Sequence, residues 1–203
     1  MKRKTLVICS LLSLSAVSTT ALANAKTGLV LGGQIGYAEP NVDWKNVGSA
    51  DVSKGNLYYG ANLGYDFALM PNLSLGAEVG VFYSRNLSKI SSSGDTDKVS
   101  NLIVPVLGTA KLYFLKGFDV FVKGGISYVD PSASKSGSSY TVDWKSDWNF
   151  TAAAGLGYNF DSIGVFAQYM HIFGKDDVTI NGTQGTGYSS KIDAITLGLT
   201  YTF

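Results

Sequence analysis

Few residues in this sequence are of types that could do chemistry. Five charges stand inside stretches where apolar residues alternate with small ones: Asp66, Glu78, Lys111, Asp119 and Lys123. If those stretches are strands, the five share one face, where opposite charges on nearby strands can pair. Glu78 with Lys111, with Lys123 or with both is the predicted pairing. Counted from the nearest turns, the three lie within a few residue rises of one another, on the order of 10 Å in depth. Such a cluster either gates a narrow conduit or fills an interior. Filling is the expectation, because a buried charge is costly unless it is paired.

The single histidine, His171, lies in Gln168-Tyr169-Met170-His171-Ile172-Phe173. The single cysteine, Cys9, falls in an N-terminal segment expected to be removed. That leaves no thiol for a disulfide, a nucleophile or a thiolate metal site. One histidine without cysteine makes a poor zinc set. Asp95 and Asp97, and the pair Asp176-Asp177, are expected to be solvated loop charges rather than cation ligands. No cofactor is expected.

These residues must be positioned by something, and the composition narrows what. Of 203 residues, 45% are hydrophobic, only 15% are charged and 24 are glycine; 16 Lys+Arg stand against 15 Asp+Glu. Low charge excludes a disordered or acidic-tail protein. The absence of a basic excess excludes a dedicated nucleic-acid binder. Residues 1–25 read as a secretory signal peptide: Lys2, Arg3 and Lys4, then the apolar stretch 5–17, then the small-residue sites at Ala21-Leu22-Ala23 and Ala23-Asn24-Ala25. The expected domain is 26–203, with a balance of −2 once the three leading bases are gone. It contains no apolar run long enough for a membrane helix.

That domain alternates with period 2 in eight runs, which predicts strands near 27–38, 57–67, 73–84, 99–114, 118–129, 148–160, 164–173 and 191–203. Long connections (39–56, 85–98, 130–147 and 174–190) alternate with short ones (68–72, 115–117 and 161–163). This is the pattern of an all-β, eight-stranded antiparallel up-and-down barrel. One strand face is apolar throughout: Leu29, Leu31, Ile35, Leu63, Val79, Val81, Val106, Val122, Ile126, Leu156, Ile195, Leu197 and Leu199 are on it. The other face holds the five charges and many glycines, among them Gly28, Gly32, Gly60, Gly76, Gly80, Gly155 and Gly198. A soluble exterior would be far more charged, whereas a narrow lumen needs small residues where side chains converge. The apolar face therefore points outward, into lipid. Tyr37, Tyr59, Tyr83, Tyr128 and Trp148 near the loop ends, with Phe67, Phe114, Phe118, Phe160 and Phe203 near the turn ends, make the two aromatic girdles of a transmembrane barrel.

The segments GGQIGYAEPNVDW (32–44), GYDFALMPNLSLGAEVGVFY (64–83), TAKLYF (109–114), FDVFVKGGISYV (118–129), GLGYNFDSIGVFAQY (155–169) and ITLGLTYTF (195–203) resemble the OmpA/OmpX-type eight-stranded outer-membrane barrels. The likeness covers essentially all of 27–203. It implies the outer membrane of a Gram-negative-type cell, contact with its lipid and lipopolysaccharide, periplasmic termini and extracellular loops. The ending Leu197-x-Leu199-x-Tyr201-x-Phe203 is similar to the signal read by the barrel-assembly machinery. The resemblance also implies that Glu78, Lys111 and Lys123, with Asp66 and Asp119, belong to a lumen ionic network. Gln168 stands where family members often carry Glu. A fainter likeness links His171 to the lipid A deacylase barrels, which carry His and Ser two residues apart on a late strand, plus an acid. Here that second position is Phe173, so the nucleophile is missing.

Relatives on this scaffold differ in function, which fold does not decide. The expected role is non-enzymatic: an outer-membrane scaffold displaying four surface loops in envelope integrity or adhesion, with any surface ligand meeting 39–56, 85–98, 130–147 or 174–190. The alternatives are a small pore or hydrophobic-ligand channel of the OmpW type and, less favoured for want of a triad, a lipid A-modifying enzyme.

Overall fold

The structure, a computed structural model, describes residues 25–41, 52–54, 56–92, 95–134, 146–174, 176–180, 183–188 and 191–203. Residues 1–24, which hold nearly all of the expected signal peptide, lie outside that set. Among the described residues eleven strands are formed: β1 (Gly28–Asn41), β2 (Val52–Lys54), β3 (Asn56–Met70), β4 (Leu73–Ser92), β5 (Asp95–Leu115), β6 (Phe118–Ser134), β7 (Asp147–Phe160), β8 (Ile163–Phe173), β9 (Asp176–Ile180), β10 (Thr183–Tyr188) and β11 (Lys191–Thr202). Eight of them pair antiparallel in the order β4-β3-β1-β11-β8-β7-β6-β5, and β4 pairing with β5 closes the ring. Closure satisfies the backbone of every long strand and removes the sheet edges.

Alternation sets which side chains face out. Leu31, Ile35, Val81, Val122, Leu156, Ile195 and Leu197 are exposed on the outer wall. The expected girdles are present on that wall. Tyr59 packs on Tyr83 and Tyr128 on Trp148 at the loop end; Phe118 packs on Tyr158 and Tyr201 on Phe203 at the turn end. The tight turns are 71–72, 116–117 and 161–162. Gly117 has a φ of 85° and Asp161 a φ of 58°, the left-handed backbone that short hairpin turns require.

The structure corrects the long connections. Much of 85–98 is strand: β4 and β5 run on beyond the barrel with Ser88 opposite Val99 and Ser92 opposite Asp95. β6 continues to Ser134, opposite Lys98. Within 39–56 lies β2, paired to β4, and within 174–190 lies the β9–β10 hairpin. These segments gave no alternation signal because a ladder held by backbone hydrogen bonds need bury no side chain.

A further feature lies inside the barrel. At its loop end Ala38, Tyr58, Phe82, Ile103, Val129, Ala153, Met170, Ile172, Ile192 and Ala194 form one buried apolar cluster, interleaved with buried Ser84, Asn101, Ser127, Asn149 and Thr151. The Tyr58 and Phe82 rings stack there at 5.3 Å.

Candidate functional site: the lumen ion pairs

Below that apolar cluster the lumen is polar. Glu78 on β4 and Lys123 on β6 point inward across the intervening β5, whose inward Leu107 and Thr109 are their register partners. Lys123 Nζ lies 2.8 Å from Glu78 Oε1 and 3.0 Å from Oε2. Asn62 Nδ2 donates to Glu78 Oε2 at 3.1 Å. The Phe121 and Phe166 rings flank the ammonium, with centroids 5.2 and 5.6 Å away. Both rings have room because the neighbouring positions are glycine. A Cβ on Gly155 would stand 2.3 Å from Phe121 Cζ, and one on Gly198 would stand 2.2 Å from Phe166 Cζ. Lys123 is thus held by a carboxylate and two π faces at once, both favourable to a desolvated cation.

Lys111 does not join Glu78. It reaches across β4 to Asp66 on β3, with Nζ–Oδ2 at 2.5 Å. The crossing point is Gly76, opposite Asp66, where any Cβ would lie 2.3 Å from the Asp66 carboxylate. The sequence allowed Glu78 either lysine; strand order gives each carboxylate the lysine two strands away. Asp119 is buried without a lysine within ion-pair distance among the described residues; Asn159 Nδ2 donates to its Oδ2 at 2.7 Å. Gln168 stands apart from the charges. Its Nε2 faces Gln34 Oε1 at 3.5 Å, and Thr196 Oγ1 donates to the same Gln34 oxygen at 3.0 Å. Gln34, Asn62, Asn159 and Thr196 were missed as lumen partners. Alternation alone would have placed all four on the inner face.

The arrangement is two crossed ion pairs beneath an apolar cap, with charges neutralised rather than aimed at a cavity. Among the described residues, no group of three or more His, Cys, Asp or Glu is placed to hold a metal. The side chains of Asp95, Asp97, Asp176 and Asp177 lie outside the described residues.

The terminal residues Leu197, Leu199, Tyr201 and Phe203 all face outward and are exposed. Phe203 N donates to Leu29 O, fastening the last residue to β1. His171 also faces outward, at the loop end of β8. Its Nδ1 lies 2.5 Å from Asp193 Oδ1, and Tyr169 donates to the same oxygen at 2.5 Å. The β8–β11 register puts Asp193 directly opposite His171. Phe173 meets the imidazole edge-on at 4.3 Å where a deacylase would carry serine.

The sequence matches the family described as "Outer membrane protein beta-barrel domain" over residues 9–203. No curated protein matches it. Solved barrels share its fold at low identity. Neisserial surface protein A is 10% identical with a TM-score of 0.57, covering 87% of this chain and 97% of that one. OprG from Pseudomonas aeruginosa is 12% identical with a TM-score of 0.59, covering 90% and 99%. Ail, the attachment invasion locus protein of Yersinia pestis, is 16% identical with a TM-score of 0.52, covering 88% and 100%.

Proposed function

The chain belongs to the outer membrane protein beta-barrel family, and on that premise we propose that it is a closed, non-enzymatic scaffold presenting surface loops for envelope integrity or adhesion. The observation that carries this reading is the filled lumen. The Glu78–Lys123 pair, the two phenylalanine rings beside it and the apolar cluster above it occupy the path a solute would take. An interior filled by side chains is what eight strands enclose.

In this reading the first 25 residues are a signal peptide, the short turns and termini are periplasmic, and the barrel-assembly machinery reads the ending at Phe203. The strands that extend past the outer girdle give the loops a stiff base, which favours display of a binding surface over a freely moving tail. Ail, a structural neighbour, is an attachment invasion locus protein, and that supports attachment. Catalysis at His171 lacks a nucleophile: among the described residues no Ser, Thr or Cys bonds to it. The test is attachment of intact cells, with and without this protein, to an extracellular-matrix coating. The protein should raise binding, and replacing 85–98 and 130–147 by short Gly-Ser turns should abolish the gain while folded barrel persists. No gain with the intact protein would remove adhesion from the proposal.

A further inference from the structure

Past the loop-end girdle, β2, β4, β5 and β6 continue side by side as one sheet. Its two faces are continuous with those of the barrel. Leu102 is exposed on the outer wall, whereas Asn101 is buried in the lumen. Alternation along β5 therefore puts positions 100, 98 and 96 on the outer face and positions 99, 97 and 95 on the lumen-side face. The bulge between Ser84 and Ser88 moves the β4 register by two residues, which leaves the faces unchanged.

One outer-face row runs Ser53, Lys89, Lys98, Ser134, each position the register partner of the next. The outer-face row beyond it pairs Ser91 with Thr96, and the one before it pairs Ser100 with Ser132. Six hydroxyl-bearing positions thus surround two lysine positions. Among the described residues, the one acid on this face of the sheet is Asp130, the register partner of Leu102. It lies four residues along the strand from the lysine row, about 13 Å, and accepts a hydrogen bond from Ser146 Oγ at 3.3 Å. Asp95 and Asp97, close to Lys98 in the chain, take lumen-side positions, as does Lys54 in the row of Ser88 and Val99. Read in chain order, acids and bases here are mixed. Strand parity sorts them.

Like charges directly opposite across an antiparallel pair have Cβ atoms about 5 Å apart and destabilise it. Positions 89 and 98 are such a pair, with no acid in their row. An anion spanning them turns one repulsion into two attractions. Three strand intervals make the row about 14 Å wide, more than a single anionic group covers and suited to a chain that carries several. The face has no Phe, Tyr or Trp at these eight positions, so it offers no platform on which nucleic-acid bases would stack. Its hydroxyls suit sugars. The row also stands about 13 Å along the strand past Tyr83, the girdle residue opposite Leu102, where a soluble polymer can reach it.

We propose that the outer face of this sheet, centred on Lys89 and Lys98, binds a sulfated polysaccharide. The proposal names a ligand class for the attachment reading and rests on that reading. The two lysines neutralise neighbouring sulfates, and the surrounding hydroxyl positions meet the sugar hydroxyls.

The test is surface plasmon resonance of the folded barrel in phosphatidylcholine nanodiscs against heparin, fully desulfated heparin and single-stranded DNA. Heparin should bind, more weakly as salt rises, and the desulfated chain should not. Lys89→Ser and Lys98→Ser should each weaken heparin binding about three- to fivefold, the scale of one exposed charge contact. The double variant should lose measurable binding, and Lys89→Arg with Lys98→Arg should keep it. Lys54→Ser removes the same charge from the other face and should change nothing. Heat-modifiable gel migration checks that each variant is folded. Equal heparin binding by the parent and the double serine variant overturns the proposal. So does an equal loss in Lys54→Ser, equal binding of desulfated heparin, or DNA binding as tight as heparin. Cells that attach to matrix while the pure barrel ignores heparin would overturn this assignment and leave attachment standing. A barrel that binds heparin through Lys89 and Lys98 on cells that do not attach would support the assignment and remove attachment.

Discussion

Glu78→Ala is the perturbation whose cost the structure specifies most closely. It leaves the Lys123 ammonium, 8% exposed, without its carboxylate. Breaking a buried pair on one side costs about 3–5 kcal/mol, mostly because the remaining charge stays desolvated. The Phe121 and Phe166 rings still face that charge and offset about 1–2 kcal/mol of the loss. The expected cost is therefore about 1–4 kcal/mol. Lys123→Ala strands a carboxylate that keeps only Asn62 as a donor among the described contacts, and should cost about as much or more. With both charges gone neither is stranded, so the double variant should lose about 2 kcal/mol less than the summed singles. Glu78→Gln keeps the shape and the Asn62 neighbour and should cost less than Glu78→Ala. The assay is urea unfolding of the barrel in lipid vesicles, followed by tryptophan fluorescence. Lys111 supplies the internal control: because it pairs with Asp66, Glu78→Ala and Lys111→Ala should be nearly additive, while Asp66→Ala and Lys111→Ala should couple. Additive losses for Glu78 with Lys123, or strong coupling of Glu78 with Lys111, would refute the crossed-pair geometry.

Three further outcomes follow. A Cβ on Gly198 meets Phe166 Cζ at 2.2 Å and the Gly33 carbonyl oxygen at 2.8 Å, so Gly198→Val should destabilise by about 1–3 kcal/mol in the same unfolding assay, whereas Gly124→Ala on the open wall should stay within about 0.5 kcal/mol. Phe203→Ala removes an exposed aromatic that meets Tyr201 edge-on just past the end of β11 and should slow insertion, read as less folded protein in the outer membrane after pulsed expression; unchanged amounts would count against an assembly role. Single cysteines at Ser92 and at Ser138 should react with a membrane-impermeant maleimide on intact cells and one at Asn72 should not, and equal labelling of all three would contradict the orientation.

Alternation carried most of the fold. All eight barrel strands, their faces and the inward charges were legible because one face had to be apolar and the other small. Where side-chain burial does not enforce the ladder, the signal vanished, and the extensions through Ser88 on β4 and Lys98 on β5 read as loop. The apolar cap was legible only in part. Phe82 and Ile172 fall on the inner face by parity, but nothing in a single strand says that inward apolar residues gather at one end. That depends on the stagger between strands. The choice of Asp66 over Glu78 as partner of Lys111 depends on the same stagger, as does the meeting of His171 with Asp193. Pairing across a barrel is a property of register, and period-2 patterning determines the face of a residue without determining its neighbour.

The central claim is that this barrel is closed. Single-channel recording in planar bilayers tests it most directly, with the purified, folded protein at symmetric high salt. Parent protein should show no stepwise conductance. A stable, reproducible unitary conductance from the unmodified barrel, rising further in Glu78→Ala, would mean that the Glu78–Lys123 pair is a gate rather than a plug, and the scaffold account would give way to transport.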